Sequence, residues 1–145
     1  MIPELRIEYL YEPSCRYLPK PGRNVGDVGL DIPAILDEAV TIRPGMGSFI
    51  PGGFRVQLPD GYFGMVLPRS SNNRRGLHIC TGVIDNGYIG ELGTEVRNIS
   101  HQEITIEPGE RLSQLVLFPA VRPIPIPTVS FKETDRGEQG FGSTG

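Results

Sequence analysis

Phe54-Arg55-Val56-Gln57-Leu58-Pro59-Asp60-Gly61-Tyr62-Phe63-Gly64-Met65-Val66-Leu67 holds two strands and the turn that joins them. Phe54, Val56 and Leu58 alternate with Arg55 and Gln57. That period of two puts one face of an extended chain in a core and the other in water. Pro59-Asp60-Gly61 then combines a preset φ with a residue lacking Cβ, the chemistry of a tight turn. The apolar run at 62–67 continues as the second strand.

The pattern recurs on both sides. Leu5, Ile7 and Tyr9 alternate with Arg6 and Glu8, and Leu92, Thr94 and Val96 with Gly93, Glu95 and Arg97. Ile104-Thr105-Ile106 and residues 112–118 also read as strands, and Arg43-Pro44-Gly45, Asn86-Gly87 and Glu107-Pro108-Gly109-Glu110 as turns. No segment keeps helical spacing for three turns, although residues 71–75 offer a single helical turn. Prolines at 119, 123, 125 and 127 exclude a central strand there and predict an extended connector. Many short strands punctuated by turns predict one all-β domain: a sandwich, jelly roll or small barrel.

Composition narrows the function. The net charge of −3 argues against binding to a nucleic-acid backbone, which needs a basic surface. No apolar run approaches the roughly 18 residues of a membrane-spanning helix, and Met1-Ile2-Pro3-Glu4-Leu5-Arg6 does not resemble a signal peptide. Cys15 and Cys80 stand alone, without a CxxC partner, and are read as two reduced thiols in a cytoplasmic protein.

Four clusters carry polar chemistry. Pro68-Arg69-Ser70-Ser71-Asn72-Asn73-Arg74-Arg75-Gly76 brings hydroxyl, amide and guanidinium donors together after a strand. It reads equally as an anion-binding turn or as a solvated loop with an N-cap serine. Gly82-Val83-Ile84-Asp85-Asn86-Gly87-Tyr88-Ile89-Gly90-Glu91 reads as a hairpin turning at Asn86-Gly87. Its open mouth exposes backbone groups suited to a base edge; Asp85 is either a turn cap or a proton acceptor. In Gly109-Glu110-Arg111-Leu112-Ser113-Gln114-Leu115, Gln114 shares its period-two face with Leu112 and Val116, so its amide points to the apolar side and needs partners. Glu110-Arg111 reads as a surface pair. The tail, Arg136-Gly137-Glu138-Gln139-Gly140-Phe141-Gly142-Ser143-Thr144-Gly145, has one apolar side chain among glycines, hydroxyls and an arginine. It is expected to be disordered alone and to order on a polyphosphate, with Phe141 as a lid for a flat ring.

In this order, with Gly29-Leu30-Asp31-Ile32 as the first, these clusters resemble the five motifs of the trimeric dUTP nucleotidohydrolases, or dUTPases. The resemblance implies a distorted jelly-roll β-barrel at 1–131 that forms a homotrimer, with a flexible C-terminal active-site flap at 132–145. It implies hydrolysis of dUTP at the α-phosphorus to dUMP and pyrophosphate, which keeps uracil out of DNA and supplies dUMP for dTMP synthesis. By the same resemblance, backbone groups of Gly82, Val83 and Ile84 would hold uracil, Tyr88 would pack under the sugar, and Asp85 would activate the attacking water. Arg69, Ser70, the Ser71 backbone, Gln114, Arg136, Gly142, Ser143 and Thr144 would surround the phosphates, and Phe141 would stack on uracil. Mg²⁺ would ride on the phosphates with Asp31 holding its water shell. The location implied is cytoplasmic, or nuclear in a eukaryotic cell.

Some letters depart from the family pattern. Ser71 stands where the second motif usually has glycine, Leu30 where the first has an aromatic, and Gln139 where the tail has glycine. Arg69-Ser70-Ser71 with Arg74 and Gly76 resembles the related dCTP deaminases, in which Ser70, Arg74 and Glu95 would occupy the working positions. A dCTP deaminase, or a bifunctional deaminase and dUTPase, is therefore the alternative. Against it, Asp85-Asn86-Gly87-Tyr88 replaces the deaminase Asp-Pro-Gly-Trp. A regulatory, protein-binding role on the same fold is a second alternative.

Overall fold

The computed structural model describes residues 3–11, 24, 26–135, 137 and 138, with the side chains of Asn73 and Arg74 excepted. The described residues form β1 (Arg6–Tyr9), β2 (Leu30–Pro33), β3 (Val40–Ile42), β4 (Gly47–Gln57), β5 (Tyr62–Pro68), α1 (Ser70–Arg74), β6 (Leu77–Ile79), β7 (Gly82–Ile84), β8 (Leu92–Asn98), β9 (Ile104–Ile106) and β10 (Arg111–Pro119). One sheet runs β1-β4-β8-β6, a second β2-β10-β5-β7, and β3 pairs with β9 as a ribbon. All these pairs are antiparallel, and most join strands distant in sequence, as in a jelly roll.

The alternating pattern fills the core as expected. Phe54, Val56 and Leu58 are buried with Ile32, Val66, Leu92 and Leu115 between the two sheets. A second cluster, including Ile50, Leu77, Val96, Ile106 and Leu112, lies towards the β3–β9 ribbon. Burying each such side chain contributes about 2 kcal/mol. On the outer face Arg55 grips Glu8 on the neighbouring strand with bonds of 2.8 and 2.9 Å, which holds the Glu8 carboxyl below its usual range.

β4 begins well before the alternation at Phe54 becomes visible. Its register slips between Pro51 and Phe54, where a Cβ on Gly52 would lie 2.6 Å from the Leu92 carbonyl and Gly53 takes φ 72°. Two glycines therefore let the strand bend against β8.

Two local expectations need correction. The hairpin turning at Asn86-Gly87 has only one strand: β7 pairs with β5, and Tyr88 and Ile89 leave the sheet. The reason is the Asn86 amide, which donates to the carbonyls of Pro59 (2.9 Å) and Tyr62 (3.2 Å) and ties the turn to the β4–β5 connection. Gln114, in turn, does not share the core face with Leu112. A bulge between Arg111 and Ser113 resets the parity of β10, so Ser113 and Leu115 face the core while Gln114 lies half-buried opposite Asp31.

Residues 120–135 contain no strand or helix, as the prolines require, and Val121, Ile124, Ile126, Val129 and Phe131 are all more than 80% exposed. Cys80 is a free, half-buried thiol, and Cys15 lies outside the described residues. Among the described residues no helix is long and apolar enough to cross a membrane.

Candidate active site

At one end of β5, Pro68 stops the ladder and α1 follows as a single turn, closed at Gly76 with φ 80°. Ser70 and Ser71 are exposed at its start, where the first N–H groups of a helix have no intrahelical acceptor. Arg69 Nε meets Asp31 of β2 at 2.9 Å, and Arg111 of β10 meets the same carboxylate at 3.2 Å. Gln114 donates to the Pro68 carbonyl at 3.2 Å, and Gly29 passes so close that a Cβ there would collide with the Gln114 side-chain oxygen. Arg69, Arg111, Ser70, Ser71 and Gln114 thus form one group of donors beside the Asp31 carboxylate. This geometry suits a polyanion.

β7 runs beside the middle of β5, with Gly82 opposite Val66 and Ile84 opposite Gly64, and carries the base-type cluster. Gly82 and Ile84 line a cleft of about 300 Å³ together with Phe49, Cys80, Tyr88 and Glu95. Val83 points outward, 60% exposed. The Asp85 carbonyl, rather than its carboxylate, closes the turn by accepting the Tyr88 N–H at 3.0 Å. The carboxylate is exposed and makes no hydrogen bond or ion pair among the described residues. Tyr88 folds over Gly90, whose missing Cβ makes room for the ring, and its hydroxyl donates to the Glu91 carbonyl at 3.4 Å.

Asp85 and Arg69 do not meet within one chain. Gly64 of β5 pairs with Ile84, the residue before Asp85, while Arg69 follows the far end of the strand. At about 3.3 Å per residue, Asp85 and Arg69 stand roughly 20 Å apart along β5. The tail residues Arg136, Phe141, Gly142, Ser143 and Thr144 lie outside the described residues, as does the Arg74 side chain.

Among the described residues no three His, Cys, Asp or Glu side chains are grouped to hold a metal. The carboxylate beside the arginines is Asp31. This donor set fits a cation that takes its inner ligands from phosphate oxygens and water, as Mg²⁺ does.

Three residues gain importance that local spacing did not reveal. Arg111 does not pair with Glu110; it holds Asp31, while Glu110 pairs with Arg75. Asn72 is buried, and its amide donates to the carbonyls of Arg111 and Leu112. Glu91 accepts the Gly53 N–H at 2.9 Å and the Tyr11 hydroxyl at 3.0 Å, and the second bond raises the Tyr11 pKa. No periodic signal could have found Asn72, because α1 is five residues long and wholly polar.

The chain matches the dUTPase family model over residues 17–145. It is 41% identical over 133 residues to the deoxyuridine 5'-triphosphate nucleotidohydrolase of Burkholderia thailandensis, covering 89% of each chain. It is 42% identical over 124 residues to that of Idiomarina loihiensis, covering 83% of this chain and 82% of the relative. The fold is similar to that of a mutant Staphylococcus bacteriophage 80alpha dUTPase solved with dUpNHpp: TM-score 0.82, 30% identity, 98% of each chain. It is also similar to a mutant dUTPase from phage phi11 of S. aureus, described with a structural Mg(II) ion: TM-score 0.76, 26% identity, 90% of this chain and 99% of that one. Motifs, strand order and relatives agree along almost the whole length, and the chain belongs to the dUTPase family.

Proposed function

We propose that this chain hydrolyses dUTP to dUMP and pyrophosphate, at a site completed by copies of itself in a homotrimer. The observation that carries the reading is the separation of two complementary half-sites. Phosphate-type donors gather where β5 ends, while Asp85, with its unengaged carboxylate, follows β7 towards the start of β5. In this reading the donors of one copy are set against Asp85 of another at a single nucleotide. The exposed apolar residues at 121–131 give such copies a surface to bury.

In this reading Gly82, Val83 and Ile84 present backbone groups to uracil, and Tyr88 supports the sugar. Asp85 accepts a proton from water as the water oxygen bonds to the α-phosphorus; the bond to the bridging oxygen breaks and pyrophosphate leaves. Arg69, Ser70, Ser71 and Gln114 hold the phosphates in line, joined by Arg136, Gly142, Ser143 and Thr144 of the tail, with Phe141 stacked on the base. Positioning and charge neutralisation, rather than a covalent intermediate, lower the barrier. Asp31 would hold the water shell of Mg²⁺ carried on the phosphates, which would supply further charge neutralisation there. A nucleotide substrate of this kind places the work in the cytoplasm, or in the nucleus of a eukaryotic cell.

One observation favours a second reading. Glu95 lines the same cleft as Gly82, Ile84 and Tyr88. A carboxylate there can accept a hydrogen bond from the exocyclic amine that cytosine has and uracil lacks. Product analysis of dUTP and dCTP incubated with the protein and Mg²⁺ separates the two. We expect dUMP and pyrophosphate from dUTP, loss of turnover on chelation, and intact dCTP. Ammonia released from dCTP would establish the deaminase, and intact dUTP would remove the main proposal.

A further inference from the structure

Residues 69–75 are fastened to β10 by three side chains. Arg69 Nη1 donates to the Arg111 carbonyl at 3.3 Å, Asn72 Nδ2 donates to the carbonyls of Arg111 (3.3 Å) and Leu112 (2.6 Å), and Arg75 pairs with Glu110. Arg69 and Arg75 are each about a third exposed, and water can replace their bonds. Asn72 is 3% exposed. Leu112 sits within the β10 bulge and has no Cα partner on either neighbouring strand, so its carbonyl is available to a side chain. The amide supplies the donor that a bulge in a buried setting needs.

The consequence lies in what α1 carries. Arg69, Ser70 and Ser71 immediately precede Asn72; Arg69 binds Asp31, and Gln114 donates to the carbonyl of Pro68 just before them. We propose that Asn72 is a positioning residue for phosphate binding: its buried amide fixes the height and rotation of residues 69–71 over β10. Without it the turn keeps its donors but loses their alignment, and misplacement of about 1 Å can cost about 100-fold in a reaction that depends on positioning. The proposal rests on the dUTP reading of the site.

Asn98 provides the control. It too is buried, and its amide donates to the carbonyls of Ile42 (2.8 Å) and Gln102 (2.7 Å), pinning the β8–β9 connection. The same chemistry thus acts on backbone that carries none of the proposed phosphate donors. The test compares Asn72→Ala and Asn98→Ala in the full chain with Mg²⁺. It reads Tm, kcat and KM for dUTP, and the Kd values of inorganic tripolyphosphate and of deoxyuridine, which has no phosphate.

Asn72→Ala should weaken tripolyphosphate and raise KM for dUTP by about 10-fold or more, with deoxyuridine affinity within about twofold of the original. Asn98→Ala should lower Tm at least as far and leave the three ligands unaffected. Should Asn72→Ala not fold, Asn72→Ser retains a shorter donor and is measured in the same way. Unchanged tripolyphosphate binding in the Asn72 variant overturns the proposal. So does parallel loss of deoxyuridine affinity, an equal loss in Asn98→Ala, or an original chain that binds no tripolyphosphate. Tripolyphosphate binding that depends on Asn72, in a chain that leaves dUTP intact, would uphold the inference and refute the dUTP reading.

Discussion

Asp85 shows how a single side chain comes to be available. Its carbonyl closes the turn to Tyr88, and Asn86 ties that turn to the Pro59 and Tyr62 carbonyls, so the Asp85 carboxylate is free of both structural duties. Asp85→Asn keeps the shape and removes the proton acceptor. Turnover of dUTP should fall by about 100-fold or more, the range for losing a general base, while binding of a non-hydrolysable dUTP analogue stays measurable by calorimetry. Undiminished turnover would remove Asp85 from the mechanism. The turn at Asp85 was legible in the sequence because Asn-Gly is a short, local signal, while the spacing left open whether the carboxylate caps it; the carbonyl does so instead. Arg111 was not, because its partner Asp31 lies 80 positions away and reaches it only through the β2–β10 pairing.

At the scale of elements, alternation located the strands that have one wet face and failed where a strand bends. β1, β8 and β9 follow their period-two patterns closely. In β4 the pattern is broken by Gly52 and Gly53, and in β10 by the bulge at Leu112. Each break is a backbone event with a tertiary cause: close approach to β8 in one case, and a carbonyl captured by Asn72 in the other. The C-terminal tail is an element argued from composition alone. Removing residues 136–145 should reduce kcat/KM for dUTP by about 100-fold or more, by loss of bound geometry, and leave the thermal unfolding transition intact. A truncated chain of normal activity would end the flap proposal.

For the whole molecule, the decisive fact is that β5 separates Arg69, after its last residue, from Asp85, beside its start. The segment at 120–135 leaves the sheets with Ile124 and Ile126 in solvent, an arrangement that costs about 2 kcal/mol of unrealised burial per side chain until something covers it. A second copy of the chain is the proposed cover. Replacing both with aspartate (Ile124→Asp with Ile126→Asp) should shift the mass seen by light scattering from three times 15.9 kDa towards 15.9 kDa. Activity should fall in step if, as proposed, each site is completed by other copies. A trimer of full activity would show that the segment is not the contact.

The sequence by itself determined the all-β class, the turn positions and the identity of the chemical groups, because alternation, Pro-Asp-Gly and Asn-Gly act over a few residues. It did not determine which groups share a site. Asp31, Arg69, Arg111 and Gln114 meet because β2, β5 and β10 are adjacent in one sheet, and Asn72 joins them because a bulge leaves it a carbonyl. Only the tertiary structure decided that, since contacts between strands distant in the chain are set by the packing of the two sheets and leave no local period to read.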